Sequence, residues 1–227
     1  PGEDPITTEY FIFDVDSKSK VRVDVEPFAD FLSSVFPNWF RNNNELYFSR
    51  FRRGYKAIDL YRVNAETGET YLILTDSSKT MVESQLINCK WLKDGSEFFW
   101  TSERDGWNHI YHYTGNGKLL NRVTTGEYVV HEIVKVDEKS KRLYFIAGGR
   151  EPNIDPYYKF LYSVKFDGTD LTLLTKEPTN HEIWFPLAGD YFVDSYSDVT
   201  HPTIHVVRDI NDGTIIYSLA EANIDAL

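Results

Sequence analysis

The feature of this 227-residue sequence that most constrains its fold is a pattern that returns about every 50 residues. One segment, rich in aromatic and β-branched residues, recurs as DLYRV at 59–63, HIYHY at 109–113, FLYSV at 160–164 and TIHVV at 203–207. Self-similarity with a period of roughly 20 to 50 residues is typical of repeat proteins, in which each repeat is one supersecondary unit. The chain is therefore expected to consist of consecutive, similar units.

Three further strand-like segments accompany this one. The preceding segments are ELYFSR at 45–50, EFFWTS at 97–102, RLYFIA at 142–147 and DYFVDS at 190–195. The units open with FPNWF at 36–40, NCKWL at 88–92, HEIVKV at 131–136 and HEIWFPL at 181–187, and the first three units close at Thr75, Thr124 and Thr175. Four short strands per unit, at this period, predict the four-stranded antiparallel blades of a β-propeller.

Glycine turns occupy the same place in each unit. They lie between the third and fourth strands, as Ala65–Gly68, Asn116-Gly117, Asp167-Gly168 and Asp212-Gly213. Tight hairpin turns need a positive backbone φ angle, which glycine adopts without steric cost. The turns therefore predict that the third and fourth strands pair as hairpins.

The units also predict a domain inventory. Residues 9–25 read as a single hairpin, or half a blade, and whole blades are expected at about 30–75, 82–124, 129–175 and 181–219, with a connector at 220–227. The predicted fold is an all-β, partial β-propeller of about four and a half blades. A propeller that does not close leaves strand edges with unpaired backbone groups, so further blades are expected upstream of Pro1.

The composition of the chain narrows the range of functions that it can have. The net charge is −11, which disfavours binding to the phosphate backbone of nucleic acids. No apolar run approaches the length of a membrane span. The single cysteine, Cys89, cannot form an intrachain disulfide, and this leaves the compartment open.

The stretch Trp100–Gly117 has the highest density of polar and aromatic residues. His109 and His112 fall on opposite faces of the predicted third strand, so they are not expected to bind one metal ion together. The stretch reads as a strand, a turn and a strand, and its polar residues are interpreted as structural.

Other polar patterns remain incomplete as metal or catalytic motifs. His131-Glu132 and His181-Glu182 never complete the His-Glu-x-x-His pattern, and they are interpreted as a polar pair repeated at the start of successive blades. Asp194 to Asp198 with His201 resemble a carboxylate–imidazole site, but Thr200-His201-Pro202 is interpreted as a turn before the third strand. No metal or cofactor is predicted. The loop after Gly148, as far as Lys159, either lines a cavity or packs on a neighbour.

Four stretches taken together resemble a known family. They are the YFIFD and VRVDV hairpin after Pro1-Gly2, FSRFRRGYKAIDLYRVNAETGET at 48–70, WLKDGSEFFWTSERDGWNHIYHY at 91–113, and IAGGREPNIDPYYKFLYSVKFDG at 146–168. They resemble the C-terminal part of the N-terminal propeller of dipeptidyl peptidase IV-type serine peptidases, in the prolyl oligopeptidase clan. The resemblance covers nearly the whole chain.

This resemblance implies an eight-bladed propeller joined to an α/β-hydrolase domain that carries the Ser-Asp-His triad. The chain contains no G-x-S-x-G nucleophile motif, so the hydrolase domain is expected downstream of Leu227 and the segment itself is expected to be inactive. It also contains no Glu-Glu dipeptide, so the family's clamp for the substrate's amino terminus is expected upstream of Pro1.

One loop of the segment is a candidate for substrate contact. In the family, the loop entering the Trp91 blade reaches toward the second specificity pocket with an aromatic residue and an arginine. The matching positions lie within Val82–Leu86, which has neither. Glu83 and Gln85 are therefore the candidate substrate-binding residues, and an ordinary connection between blades is the alternative.

Three functions follow as hypotheses. The first is the non-catalytic propeller of a periplasmic or extracellular serine exopeptidase that removes dipeptides, often X-Pro, and whose propeller gates and walls the active-site cavity. Its expected partners are a peptide substrate, the missing blades, the hydrolase domain and a second copy of the parent protein. The second is a free-standing TolB-like propeller that binds a protein without peptidase activity. The third, a carbohydrate-active propeller using paired carboxylates, lacks a repeated inward Asp/Glu pattern.

Overall fold

The computed structural model describes residues 7–27, 37–40 and 44–223. The described residues contain eighteen β-strands, one short 3₁₀ turn at Ser84–Leu86 and no α-helix. The strands are β1 Phe11–Phe13, β2 Lys20–Arg22, β3 Asn38–Trp39, β4 Glu45–Phe51, β5 Ala57–Asn64, β6 Thr70–Ser77, β7 Cys89–Trp91, β8 Glu97–Ser102, β9 His109–Thr114, β10 Leu119–Arg122, β11 Val129–Asp137, β12 Arg142–Gly148, β13 Lys159–Lys165, β14 Thr172–Leu173, β15 Asn180–Trp184, β16 Tyr191–Ser197, β17 Ile204–Asp209 and β18 Ile215–Glu221.

The strands form sheets whose spatial order follows the chain. β1 and β2 make a two-stranded sheet, and β3–β6, β7–β10, β11–β14 and β15–β18 each make a four-stranded antiparallel sheet. The prediction of an all-β chain of four-stranded antiparallel blades with one half-blade is confirmed. The expected start of the first whole blade near residue 30, and residues 224–227 of the expected connector, lie outside the described residues.

The chain divides into two compact units. The first comprises Pro1–Ser84, Trp91–Phe98 and Tyr113–Lys118, and the second comprises Gln85–Lys90, Phe99–His112 and Leu119–Leu227. No helix in the described part of the chain is both long and apolar enough to cross a membrane.

Aromatic and β-branched side chains form the core of the first unit. Val23, Leu46, Phe48 and Val63 are buried together, and they come from the first hairpin and the following sheet. Beside them, the Trp91 ring packs against three others, those of Phe40, Tyr47 and Phe98, with centroid distances of 4.5 to 5.3 Å. Packed pleated faces of this kind suit aromatic and β-branched residues, which explains the 15% aromatic content.

The core of the second unit is built in the same way. One buried cluster joins side chains of β12, β13 and β16 with residues that directly follow β14 and β17: Tyr144, Ile146, Leu161, Leu174, Phe192 and Ile210. The inner strands β12 and β13 have five or more consecutive buried residues, because both faces of these strands are covered. A strand that is buried on both faces has a nearly continuous run of apolar residues, whereas a strand with one face in solvent alternates between apolar and polar residues.

Antiparallel order gives each four-stranded sheet two distinct ends. The turn between the second and third strands lies at the same end as the connections into the first strand and out of the fourth. Backbone bonds from Ser78 N–H to the Lys56 carbonyl and from Val82 N–H to the Tyr55 carbonyl, at 2.9 and 2.8 Å, join two such segments. We call this end of a sheet its entry end. The Val82–Leu86 loop lies there.

Candidate functional site

The Val82–Leu86 loop leaves β6 and enters β7 through the 3₁₀ turn. The Val82 side chain is buried, Glu83 is partly buried and Gln85 is exposed. Glu83 directly precedes the turn, and Gln85 is its central residue. A 3₁₀ helix of three residues has little stability of its own, so the shape of this loop depends on the contacts that hold its ends.

The carbonyl oxygen of Leu86, in the second unit, is the anchor of the turn. It accepts hydrogen bonds from Thr101 Oγ1 at 2.7 Å, Asn108 Nδ2 at 3.2 Å and Asn88 Nδ2 at 3.3 Å. A carbonyl oxygen has two lone pairs, so three donors saturate it. The backbone next to Gln85 is therefore held from three sides.

The two asparagines link this anchor to the next sheet. Asn108, only 1% exposed, also donates from Nδ2 to the Val130 carbonyl at 2.6 Å. Asn88 donates to the His131 carbonyl at 3.2 Å and accepts from Ile133 N–H at the same distance. Each amide side chain thus joins the Leu86 carbonyl to the backbone of β11.

The sequence indicates the loop as a candidate but does not indicate its anchor. Thr101 and Asn108 lie 15 and 22 positions away from Leu86, on strand β8 and next to strand β9. The one signal within the sequence is Asn108 itself, because a polar amide directly before a buried strand needs partners. Its Oδ1 atom is buried and has no hydrogen-bond partner within the described structure.

The polar stretch Trp100–Gly117 is used in packing. His109 Nδ1 lies 3.0 Å from Thr124 Oγ1 and its Nε2 lies 2.9 Å from the Gly126 carbonyl. Burial lowers the pKa of His109, and the hydrogen bond to the Gly126 carbonyl opposes this shift. A neutral imidazole with its proton on Nε2 satisfies both contacts.

His112 has different surroundings. Its ring stacks on Phe99 at a centroid distance of 4.4 Å and meets the edge of Phe166 at 5.6 Å. The two imidazoles thus have separate sets of partners, as expected for opposite faces of one strand. The structure does not bring them together as a ligand pair.

The carboxylate of Asp105 holds the turn of the Trp100–Gly117 stretch through a hydrogen bond and an ion pair. Tyr111 donates its hydroxyl proton to Asp105 Oδ2 at 2.6 Å, and Arg122 pairs with the same carboxylate at 3.1 Å. Burial raises the pKa of Tyr111 above its ordinary value, and the bond to Asp105 adds to this. The phenol therefore stays protonated at neutral pH and serves as a hydrogen-bond donor rather than as a base.

A buried ionic cluster in the last sheet was not predicted. Arg208 donates from Nε to Asp194 Oδ2 at 2.8 Å, from Nη2 to Glu177 Oε2 at 2.6 Å and from Nη1 to the Gly213 carbonyl at 3.0 Å. His181 Nδ1 lies 3.0 Å from both carboxylate oxygens of Asp194. The cluster joins strands β15, β16 and β17.

Glu177, His181 and Asp194 have the residue types and the spacing of a metal site, with ligand atoms within 4.8 Å of one another. The guanidinium of Arg208 already forms ion pairs with both carboxylates. A buried cation of fixed geometry occupies the electrostatic role that a metal ion would have. The cluster is therefore an internal ion-pair network.

The structure also separates Asp194 from the residues with which the sequence grouped it. Asp198 accepts from the Thr200 and His201 backbone N–H groups at 2.7 and 2.9 Å, within the turn that precedes β17. Hydrogen bonds from the hydroxyl and the backbone N–H of Thr200, together with the His201 side chain, lower the pKa of Asp198 to about 2. In the polar pair at the start of β15, His181 is buried and Glu182 is exposed.

The loop from Gly148 to Lys159 lies at the entry end of its sheet. Arg150 pairs with Glu151 at 2.8 Å, and the same carboxylate accepts the Tyr162 hydroxyl at 2.9 Å. Burial and this hydrogen bond raise the pKa of Tyr162. Tyr157, in contrast, is 86% exposed. The base of the loop is fixed, and its outer part presents an aromatic ring to solvent.

Comparisons with known proteins agree with this architecture. Residues 1–203 match the family model described as the dipeptidyl peptidase IV (DPP IV) N-terminal region. A probable dipeptidyl peptidase 4 of Arthroderma benhamiae is 25% identical over 203 residues, which are 86% of this chain and 26% of that protein. The dipeptidyl peptidase 4 of Trichophyton rubrum is 32% identical over 112 residues, which are 48% of this chain and 14% of that protein.

Solved structures show the same fold. The crystal structure of Porphyromonas gingivalis dipeptidyl peptidase 4 superposes with a TM-score of 0.83 at 23% identity, over 99% of this chain and 31% of that one. A putative dipeptidyl aminopeptidase IV from Bacteroides ovatus gives 0.76 at 19% identity, over 93% and 32%. The chain thus spans less than a third of the length of each of these proteins.

Proposed function

The chain belongs to the dipeptidyl peptidase IV N-terminal region family, and from this membership we propose that it is the non-catalytic propeller part of an exported serine exopeptidase. The parent enzyme removes dipeptides, often X-Pro, from the amino termini of peptides. The match over residues 1–203, with a fold likeness over 99% of the chain, is the observation that carries this proposal.

The polar residues of the segment support a non-catalytic role. The hydrogen-bonding atoms of His109 and the side chains of Asp194 and Arg208 are engaged with neighbouring groups of the fold. The sequence has no G-x-S-x-G motif. We place the serine nucleophile, its histidine base and the oxyanion-binding N–H groups in a hydrolase domain outside residues 1–227.

Within the parent enzyme, the segment would limit access to that active site and form one wall of its cavity. Gln85 is the candidate for contact with substrate, because its side chain is exposed on a turn whose backbone is anchored. An amide group can accept from a peptide N–H and donate to a peptide carbonyl. Glu83, two residues earlier in the sequence, is the second candidate.

Release of nitroaniline from Gly-Pro-p-nitroanilide tests the proposal. The full-length gene product is expected to cleave this substrate and to be labelled by a fluorophosphonate on one serine outside residues 1–227. The isolated segment, shown to be folded by circular dichroism, is expected to do neither. A full-length product that neither cleaves the substrate nor reacts with the probe would reject the proposal in favour of a TolB-like binding propeller.

A further inference from the structure

We infer that Thr101 and Asn108 are positioning residues for substrate recognition, because they hold the Leu86 carbonyl and thereby determine where the Gln85 side chain lies. This inference rests on the function proposed above. Neither residue is expected to touch the substrate, since Thr101 is fully buried and Asn108 is 1% exposed.

The hydroxyl of Thr101 makes the shortest of the three bonds to Leu86, and it has a second role. Oγ1 donates to the Leu86 carbonyl at 2.7 Å and accepts from Asn88 N–H at 2.6 Å. One hydroxyl thus holds the last residue of the turn and the residue directly before β7. Valine has the same shape as threonine but can do neither.

These bonds are separate from the bonds that build the sheet. The ladder between β7 and β8 continues through Thr101 N–H to the Asn88 carbonyl, at 3.1 Å, without the side chain. Loss of the hydroxyl would therefore leave this ladder bond in place and release the turn. The effect on the loop can be separated from the effect on global stability.

Asn108 connects the turn to a second sheet. Its Nδ2 group donates one proton to the Leu86 carbonyl and the other to the Val130 carbonyl. The main-chain carbonyl of Asn108 accepts from Val130 N–H at 3.0 Å. A side-chain amide offers two donors on one atom without placing a charge at this buried position. A change in the path of β11 would thus be passed to the backbone beside Gln85.

The test uses the full-length gene product with Thr101→Val, the conservative variant Thr101→Ser, and Thr175→Val as a matched control. Thr175 is also fully buried, and its hydroxyl accepts from Leu161 N–H at 3.0 Å, but it lies in another sheet. Two readouts are measured for each protein: kcat and KM for a series of X-Pro-p-nitroanilides, and hydrogen exchange of the peptide that covers residues 82–90.

Thr101→Val is expected to raise KM about 3- to 10-fold, to different extents for different X residues, with kcat within about twofold of the wild type. Exchange of residues 82–90 is expected to become about tenfold faster. Thr101→Ser, which keeps the hydroxyl group, should have the KM values and the exchange rate of the wild type. Thr175→Val should lower the melting temperature and leave the KM values and the exchange of this peptide unchanged.

The outcomes separate the inference from the proposed function. If the wild type is active and Thr101→Val has the same KM values as Thr175→Val, the positioning role alone is overturned. Unchanged hydrogen exchange of residues 82–90 in Thr101→Val would also overturn it. A wild type that cleaves no X-Pro anilide would overturn the proposed function and the substrate role with it. If Thr101→Val does not fold, Asn108→Ser is measured in its place, with Asn121→Ser as control, because Asn121 donates one bond to the Phe166 carbonyl.

Discussion

Gly117 lies so close to the carbonyl oxygen of Ile73 that a Cβ atom at this glycine would overlap that oxygen. Gly117 is in the hairpin between β9 and β10, whereas Ile73 is on β6 of the preceding sheet. The equivalent glycines repeat the relationship: Gly68 with Arg22, Gly168 with Val123 and Gly213 with Leu174. These turn glycines therefore serve two needs, a positive φ angle and a close approach to the preceding fourth strand.

Gly117→Ala is expected to lower the free energy of unfolding by about 2 to 4 kcal/mol, because both the φ angle of +85° and the overlap oppose a methyl group. Gly54→Ala is the matched control, since Gly54 has a φ angle of +88° and open space around it. The control should lose only about 1 kcal/mol. Urea unfolding measures both, and equal losses would contradict the role of close packing.

Arg208→Met should destabilise the protein by about 3 to 5 kcal/mol, because it leaves Asp194 buried without its cation. Arg22→Met serves as control, since its ion pair with Glu9 is exposed on both sides. That pair is expected to contribute less than about 1 kcal/mol. Similar losses in the two variants would show that the buried network contributes no more than a surface pair.

Stability is expected to fall as the pH is lowered below about 6.5, because burial lowers the pKa of His109 in the folded state. Between the folded pKa and the ordinary value, the unfolded chain binds the proton and the folded chain does not, so acid favours unfolding. His109→Gln should reduce the loss between pH 7.5 and 5.5. Urea titrations at both pH values measure it, and an identical pH dependence in the variant would contradict the assignment.

Gln85→Ala in the full-length gene product is expected to raise KM for X-Pro-p-nitroanilides about two- to fivefold, with little change in kcat, because a contact made equally in the ground and transition states is lost. Glu83→Ala tests the second candidate, and Ser84→Ala, in the same loop, is the control. Unchanged kinetics in both candidate variants would favour the alternative that the loop is an ordinary connection.

Much of the fold could be predicted, because strand and turn preferences depend on residues that are near in the chain. The segment HIYHY was expected to be a third strand, and β9 occupies His109–Thr114. The turn at Asn116-Gly117 was expected to need a positive φ angle, and Gly117 has one. The candidate loop precedes β7, and its anchoring by Thr101 and Asn108 was not foreseen.

The sequence by itself determined the repeat, the four strands of each blade and the hairpin turns, since these follow from side-chain alternation and from backbone angles that are local to a few residues. Only the tertiary structure decided that His181 and Arg208 both meet Asp194, 13 and 14 positions away along the chain, and that three side chains meet at the Leu86 carbonyl. The physical reason is register: a polar group's partner depends on which residues face each other across strands, and a one-residue shift turns every side chain to the other face.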